Sequence, residues 1–96
     1  MRGSEESSVR AGYLIGGRVQ GVGFRWWTAR HAGSLGVAGT VRNLPDGSVE
    51  VMLVGEPQAV RQMRIDLEDG PRFARVDGIA EIPCTLDADT IGFSIL

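Results

Sequence analysis

Residues 16–25 read Gly-Gly-Arg-Val-Gln-Gly-Val-Gly-Phe-Arg and join an apolar, strand-like run to a helix-like run. Glycines let the backbone amides of such a loop converge on one point, and the N-terminus of the following helix adds a partial positive charge. Arg25, in the first helical turn, supplies a planar fork that can bind two oxygens of one anion. The stretch therefore predicts either a site for an anion such as phosphate or a glycine-rich turn with a surface arginine.

The distribution of charge favours the anion site. Five arginines and no acidic residue lie between residues 7 and 45, whereas ten of the twelve acidic residues lie from Asp46 onward. Positive charge concentrated in this part of the chain would attract small anions, unless later carboxylates pack against these arginines. The whole chain has a formal charge of −2. That value argues against a polyanionic partner, so no nucleic acid is expected.

Residues 39–50 indicate two strands joined by a tight turn. Pro45 and Asp46 suit the centre of a type I turn, and Gly47 suits the left-handed position that follows. Asn43 lies at the end of the first strand, where its amide could accept a hydrogen bond from water and donate one to an oxygen. Asparagine beside a turn is also a common turn former, so the residue types alone leave both roles open.

Hydrophobic periodicity predicts an α+β fold with the order βαββαβ and a short terminal strand. This order is the ferredoxin-like arrangement, a sandwich of one antiparallel sheet with two helices on one face. Adjacent helix positions point in different directions, so one of Trp26 and Trp27 is expected to be packed and the other partly exposed near the loop. The predicted elements are strands at 9–19, 37–44, 48–54 and 74–82, a short strand containing Ile91, Phe93 and Ile95, and helices at 24–35 and from Pro57 to Gly70.

Together the two segments resemble the acylphosphatase family. That family carries a loop of the pattern G-x-V-Q-G-V-x-F-R and, shortly after it, a strand of the pattern G-x-V-x-N-x-x-D-G-x-V. Both patterns are present, at residues 17–25 and 39–49, and the resemblance covers roughly residues 9–96. Thr40 stands where the family usually has an aromatic residue, and Trp27 stands where it usually has tyrosine. These departures bear on packing and substrate preference, not on the reaction.

The resemblance implies an enzyme that hydrolyses small-molecule acyl phosphates to carboxylate and inorganic phosphate by water attack, without a metal. In the family the loop amides and the arginine bind the phosphate, and the asparagine holds the attacking water. The residues that match these roles are Arg25, Asn43 and the backbone of Val19, Gln20, Gly21, Val22 and Gly23.

Two other functions fit parts of the pattern. Acylphosphatase-like domains also occur inside larger maturation proteins, so a non-catalytic module that binds acyl or carbamoyl phosphate is one alternative. RNA-binding domains share the βαββαβ order and stack bases on aromatic residues of their central strands. The predicted third strand, residues 48–54, contains no aromatic residue, which argues against RNA binding.

We expect a cytoplasmic, monomeric protein without a cofactor. His31 is the only histidine, no cluster has metal-ligand spacing, and His31 is expected to face solvent. Cys84 is the only cysteine, so no internal disulfide can form and a reducing compartment is expected. No apolar run approaches the roughly 18 residues that a membrane span needs. Residues 1–8 are polar and predicted to be a disordered tail, with the domain at residues 9–96.

Overall fold

The computed structural model describes residues 8–96, and most of the predicted N-terminal tail lies outside this range. Two helices and five strands follow one another in the predicted order. The predictions for the helices agree with the structure, and those for the strands differ from it by one or two residues at several ends. The elements are β1 (Val9–Arg18), α1 (Phe24–Leu35), β2 (Ala38–Asn43), β3 (Val49–Gly55), α2 (Pro57–Asp69), β4 (Arg75–Ile82) and β5 (Phe93–Ile95).

The strands form one sheet in the order β4-β1-β3-β2-β5. β1 pairs antiparallel with β3 and β4, and β2 pairs antiparallel with β3. This four-stranded part confirms the predicted ferredoxin-like fold. The short strand β5 pairs parallel with β2, so the whole sheet is mixed and not purely antiparallel. Local periodicity predicted a last strand but contains no information about its partner or direction.

The core lies between the helices and the facing side of the sheet. Val49, Val51 and Leu53 alternate along β3 and are fully buried, as their spacing predicts. α1 buries Phe24, Thr28 and Ala32, and α2 buries Val60, Met63 and Leu67. The Thr28 hydroxyl donates to the carbonyl oxygen of Phe24 at 2.8 Å, so this buried polar group is satisfied within its own helix.

The segment between β4 and β5 crosses the sheet at the end opposite the glycine-rich loop. Arg10, near the start of β1, donates to the Leu86 carbonyl, and Gly39 at the start of β2 donates to the Gly92 carbonyl. Ile91 is 91% exposed and precedes β5, so the prediction that it belongs to the last strand is wrong. Among residues 8–96, neither helix has the length and hydropathy required to cross a membrane.

Candidate active site

The loop at residues 19–23 leads from β1 directly into α1. Val19 is buried and ties the start of the loop to the core. Gly21 and Gly23 have φ angles of 75° and 80°, in the left-handed region that residues with a Cβ rarely adopt. The two glycines are therefore required for the path of the loop.

The N-terminus of α1 keeps donors available for a ligand. Its N-cap is Gly23, so there is no capping side chain, and no acidic residue lies in the first turn. The first helical hydrogen bond runs from the Trp27 amide to the Gly23 carbonyl at 3.0 Å. The amides before Trp27 have no intrahelical acceptor. They and the helix dipole together favour a bound anion.

A cavity of about 200 Å³ opens between this loop and the ends of β2 and β5. It brings together the glycines of the loop, Arg25 and Asn43, which are far apart in the sequence. The side chains of Val19, Gln20 and Val22 do not line it, which is compatible with a role for their backbone alone. The lining residues are Gly21, Gly23, Phe24, Arg25, Trp26, Asn43 and Ile95.

Arg25 is held at the cavity by a backbone acceptor. Its Nη1 donates to the main-chain oxygen of Leu96 at 3.2 Å. Within residues 8–96, no Asp or Glu side chain lies within ion-pair distance of Arg25. A guanidinium has five N–H donors, so one contact fixes the side chain and leaves others for a ligand.

Asn43, the last residue of β2, also lines the cavity. Its Oδ1 atom is buried and accepts no hydrogen bond from the described residues. A buried carbonyl without a donor costs about 1–3 kcal/mol. Unpaired buried carbonyls are uncommon in native proteins, and a role in binding or catalysis is one explanation for them. The predicted turn-former role does not explain this, because the side chain makes no hydrogen bond within the turn.

The turn after Asn43 is held by its own side chains. The Asp46 carboxylate accepts hydrogen bonds from the Ser48 hydroxyl at 2.6 Å and from the Ser48 amide at 2.9 Å. These two bonds lower the pKa of Asp46, and the bond from the hydroxyl has the larger effect. The Gly47 amide donates to the Leu44 carbonyl, and Gly47 has a φ of 95°. The predicted turn is thus present, and it fixes the end of the strand that carries Asn43.

Gln20 connects the loop to this turn through its side chain, a contact that the sequence did not predict. Its Nε2 donates to the carbonyl oxygens of Leu44 and Ser48, both at 2.8 Å. One primary amide has two donors, so a single side chain joins both ends of the turn. The only signal in the sequence was a long polar residue in a glycine-rich loop.

The arginines between residues 7 and 45 do not all contribute free positive charge. Arg42 donates from Nε and Nη2 to the Glu50 carboxylate at 3.0 and 3.2 Å, because the two residues pair across β2 and β3. Arg30 stacks on Trp26, with its guanidinium carbon 4.7 Å from the ring centroid. Positive charge at the cavity itself comes from Arg25.

The two tryptophans differ as predicted. Trp27 packs against the core and contacts Phe24 and His31, with ring centroids 5.7 and 4.9 Å apart. Trp26 is 58% exposed at the cavity. His31 lies 2.5 Å from the Asp66 carboxylate and bridges the two helices. It therefore contacts α2 rather than facing only solvent, and it does not line the cavity.

Comparisons with known proteins identify the family of this chain. The family model described as Acylphosphatase matches residues 11–95. An acylphosphatase from Nitrobacter winogradskyi is 52% identical over 75 residues, which cover 78% of this chain and 76% of the relative. The crystal structure of acylphosphatase from Bacillus subtilis superposes with a TM-score of 0.84 at 31% identity, over 91% of this chain and 97% of the other. An acylphosphatase structure from Coxiella burnetii gives a TM-score of 0.90 at 28% identity, with both chains fully covered. The chain therefore belongs to the acylphosphatase family.

Proposed function

We propose that this protein hydrolyses acyl phosphates to a carboxylate and inorganic phosphate. The observation that supports this best is the cavity that the uncapped N-terminus of α1, Arg25 and Asn43 line together. The first two bind an anion, and the third is a polar group with no structural partner. Together they can place a phosphoryl group beside a water molecule.

The phosphoryl group would lie against the loop. The backbone amides of residues 19–23 and the start of α1 would donate to its oxygens, and Arg25 would bind two of them as a fork. The Leu96 carbonyl holds the guanidinium in place, so little side-chain entropy is lost on binding. This arrangement stabilises the negative charge that phosphoryl transfer spreads over the equatorial oxygens.

Asn43 would orient the attacking water. The water oxygen forms a bond to phosphorus while the bond from phosphorus to the acyl oxygen breaks, and that electron pair leaves on the carboxylate. The proton of the water passes to phosphate or to solvent. Because a carboxylate is a good leaving group, positioning and charge stabilisation suffice, and no strong base is needed. His31 is engaged with Asp66 away from the cavity.

The proposal predicts that the purified protein hydrolyses a synthetic acyl phosphate such as acetyl phosphate, and that turnover survives exhaustive chelation. Among residues 8–96, no group of three or more His, Cys, Asp or Glu side chains could hold a metal ion. Inorganic phosphate should inhibit competitively, because it would occupy the same cradle as the substrate. The measurement is the initial rate with and without chelator at several phosphate concentrations.

Three results would contradict this mechanism. Loss of activity in chelator that a divalent metal restores would show that hydrolysis depends on a metal. Binding of phosphate without turnover would favour the non-catalytic module. Tight binding of single-stranded RNA would favour an RNA-binding domain, although β3, at the centre of the sheet, carries no aromatic residue.

Gln20 is proposed as a positioning residue for Asn43. Gln20→Leu keeps a similar volume but removes both hydrogen bonds to the turn. Both carbonyls keep a backbone donor, from Gly47 and from Leu44. The free energy of unfolding should therefore fall by only about 1–2 kcal/mol. We expect kcat to fall about tenfold at a temperature where the variant is fully folded, since a displacement of Asn43 would misplace the water.

Denaturant unfolding and steady-state kinetics together check this prediction. Gln62→Leu is a matched control, because Gln62 makes one exposed hydrogen bond to Asp66 on α2, away from the cavity. A folded Gln20→Leu variant with unchanged kcat would reduce Gln20 to a purely structural contact.

A cytoplasmic location and a monomeric state stay predictions.

A further inference from the structure

Trp26 exposes most of its indole beside the candidate site. The side chain is 58% exposed, whereas Trp27, the next residue, packs against the core. Burying an indole is strongly favourable, because it removes a large apolar area from water. A tryptophan left exposed at the wall of a ligand cavity is therefore a candidate contact for an apolar part of the ligand.

Arg30 fixes the orientation of this indole. Its guanidinium carbon lies 4.7 Å from the ring centroid, one turn further along α1, in a cation–π contact. Trp26 lines both the site cavity and a neighbouring cavity of about 330 Å³, but Arg30 lines only the neighbouring one. The Arg30 guanidinium therefore contacts the indole without lining the site cavity. More than half of the Trp26 surface stays exposed despite this contact.

The proposed chemistry determines where the acyl group must lie. In-line attack places the leaving oxygen opposite the attacking water. The cavity has two exposed apolar side chains, Trp26 and Ile95. Ile95 lies on β5, which pairs with the strand that carries Asn43 and is followed by Leu96, the contact of Arg25. Trp26 follows Arg25 on α1 and has the larger exposed apolar surface of the two, so it is the candidate surface for the acyl group.

We infer that Trp26 is the binding surface for the acyl group and selects flat, conjugated acyl groups over small aliphatic ones. This inference rests on the proposed function and adds a substrate class to it. A planar acyl group can stack on the exposed part of the indole while its phosphoryl group lies against the loop and Arg25. Trp26 is then a specificity-determining residue, and Arg30 acts through it.

The test compares kcat/KM for benzoyl phosphate and acetyl phosphate in the unaltered protein, Trp26→Ala and Trp26→Phe. In Trp26→Ala we expect the benzoyl-to-acetyl ratio of kcat/KM to fall about tenfold, the upper range for an aromatic stacking contact. The inhibition constant of inorganic phosphate should stay within about twofold, because phosphate does not reach the indole. Trp26→Phe should restore most of the ratio.

Phe73→Ala is the matched control. Phe73 is 74% exposed and has the Arg72 guanidinium 5.8 Å from its ring, but it lies after α2 and does not line the cavity. Its replacement should leave the ratio unchanged. If both substrates are hydrolysed and Trp26→Ala leaves the ratio unchanged, the inference is wrong and the proposed function stands. If the unaltered protein hydrolyses neither substrate, the proposed function fails, and the inference fails with it.

Discussion

Asn43→Ala is expected to lower kcat on an acyl phosphate by on the order of a hundredfold or more, with little change in the inhibition constant of phosphate. The reason is that different groups in the cavity bind the phosphate and position the water. Arg25 and the loop amides bind the phosphoryl group, whereas the proposed role of Asn43 is to hold the water. Removing the amide therefore affects the transition state and leaves phosphate binding intact.

In the same variant we expect stability to be kept or to rise, although turnover falls. The Asn43 Oδ1 atom is buried without a donor among the described residues, so its removal deletes an unsatisfied group. The free energy of unfolding should stay the same or rise by about 1 kcal/mol. A residue that only forms the turn would show the reverse pattern, a loss of stability with normal turnover.

Thr40→Ala is a suitable control for Asn43→Ala. Thr40 lies on the same strand and pairs with β5, but it does not line the cavity. Denaturant unfolding and kcat would be measured on both variants. Near-normal turnover in Asn43→Ala, or a loss of phosphate binding in its place, would show that its role is misassigned.

Much of the fold follows from local patterns in the sequence. The stripe of Val60, Met63 and Leu67 predicted the buried face of α2, and Pro57 and Gly70 marked its ends. The alternation of β3 predicted that Val49, Val51 and Leu53 are buried, but not that Met52 and Val54 are buried as well. These signals are local, because each depends on the period of one element and on the residues that begin or end it.

The contacts that complete the candidate site are long-range and were not predicted. The parallel pairing of β5 with β2 places Ile95 and Leu96 beside Asn43 and Arg25. Gln20 bonds carbonyls 24 and 28 residues away. No period or propensity encodes such pairs, since they depend on which elements become neighbours in the folded sheet.

The ion pairs of the arginines also depend on which elements become neighbours, so the charge pattern of the sequence does not predict them. The sequence indicated a group of arginines without nearby carboxylates, but Arg42 pairs with Glu50 across the hairpin. Antiparallel pairing brings residues on either side of a turn together, so a separation along the chain does not isolate a charge. Arg25, in contrast, pairs with no Asp or Glu side chain of the described residues.

Arg25→Lys is expected to lower kcat/KM by on the order of a hundredfold and to weaken phosphate inhibition, nearly as much as Arg25→Ala. Lysine keeps the positive charge but presents it as a point donor on a flexible stem. It cannot bind two phosphate oxygens in parallel while also donating to the Leu96 carbonyl. Bidentate charged contacts that are shielded from water are worth a few kcal/mol, and roughly 1.4 kcal/mol corresponds to tenfold.

Arg18→Ala separates a specific clamp from a general field. Arg18 is an exposed arginine at the end of β1, next to the loop but outside the lining of the cavity. If a diffuse positive field binds the phosphate, kcat/KM should fall in Arg18→Ala and stay near normal in Arg25→Lys. If Arg25 acts as a bidentate clamp, kcat/KM should stay near normal in Arg18→Ala and fall in Arg25→Lys. Circular dichroism would first establish that each variant is folded. If folded Arg25→Lys keeps more than about half of the normal kcat/KM, a difference below roughly 0.4 kcal/mol, then the bidentate clamp is wrong. Arg25 would then act only through its charge, and the geometry of the loop amides would have to account for phosphate binding.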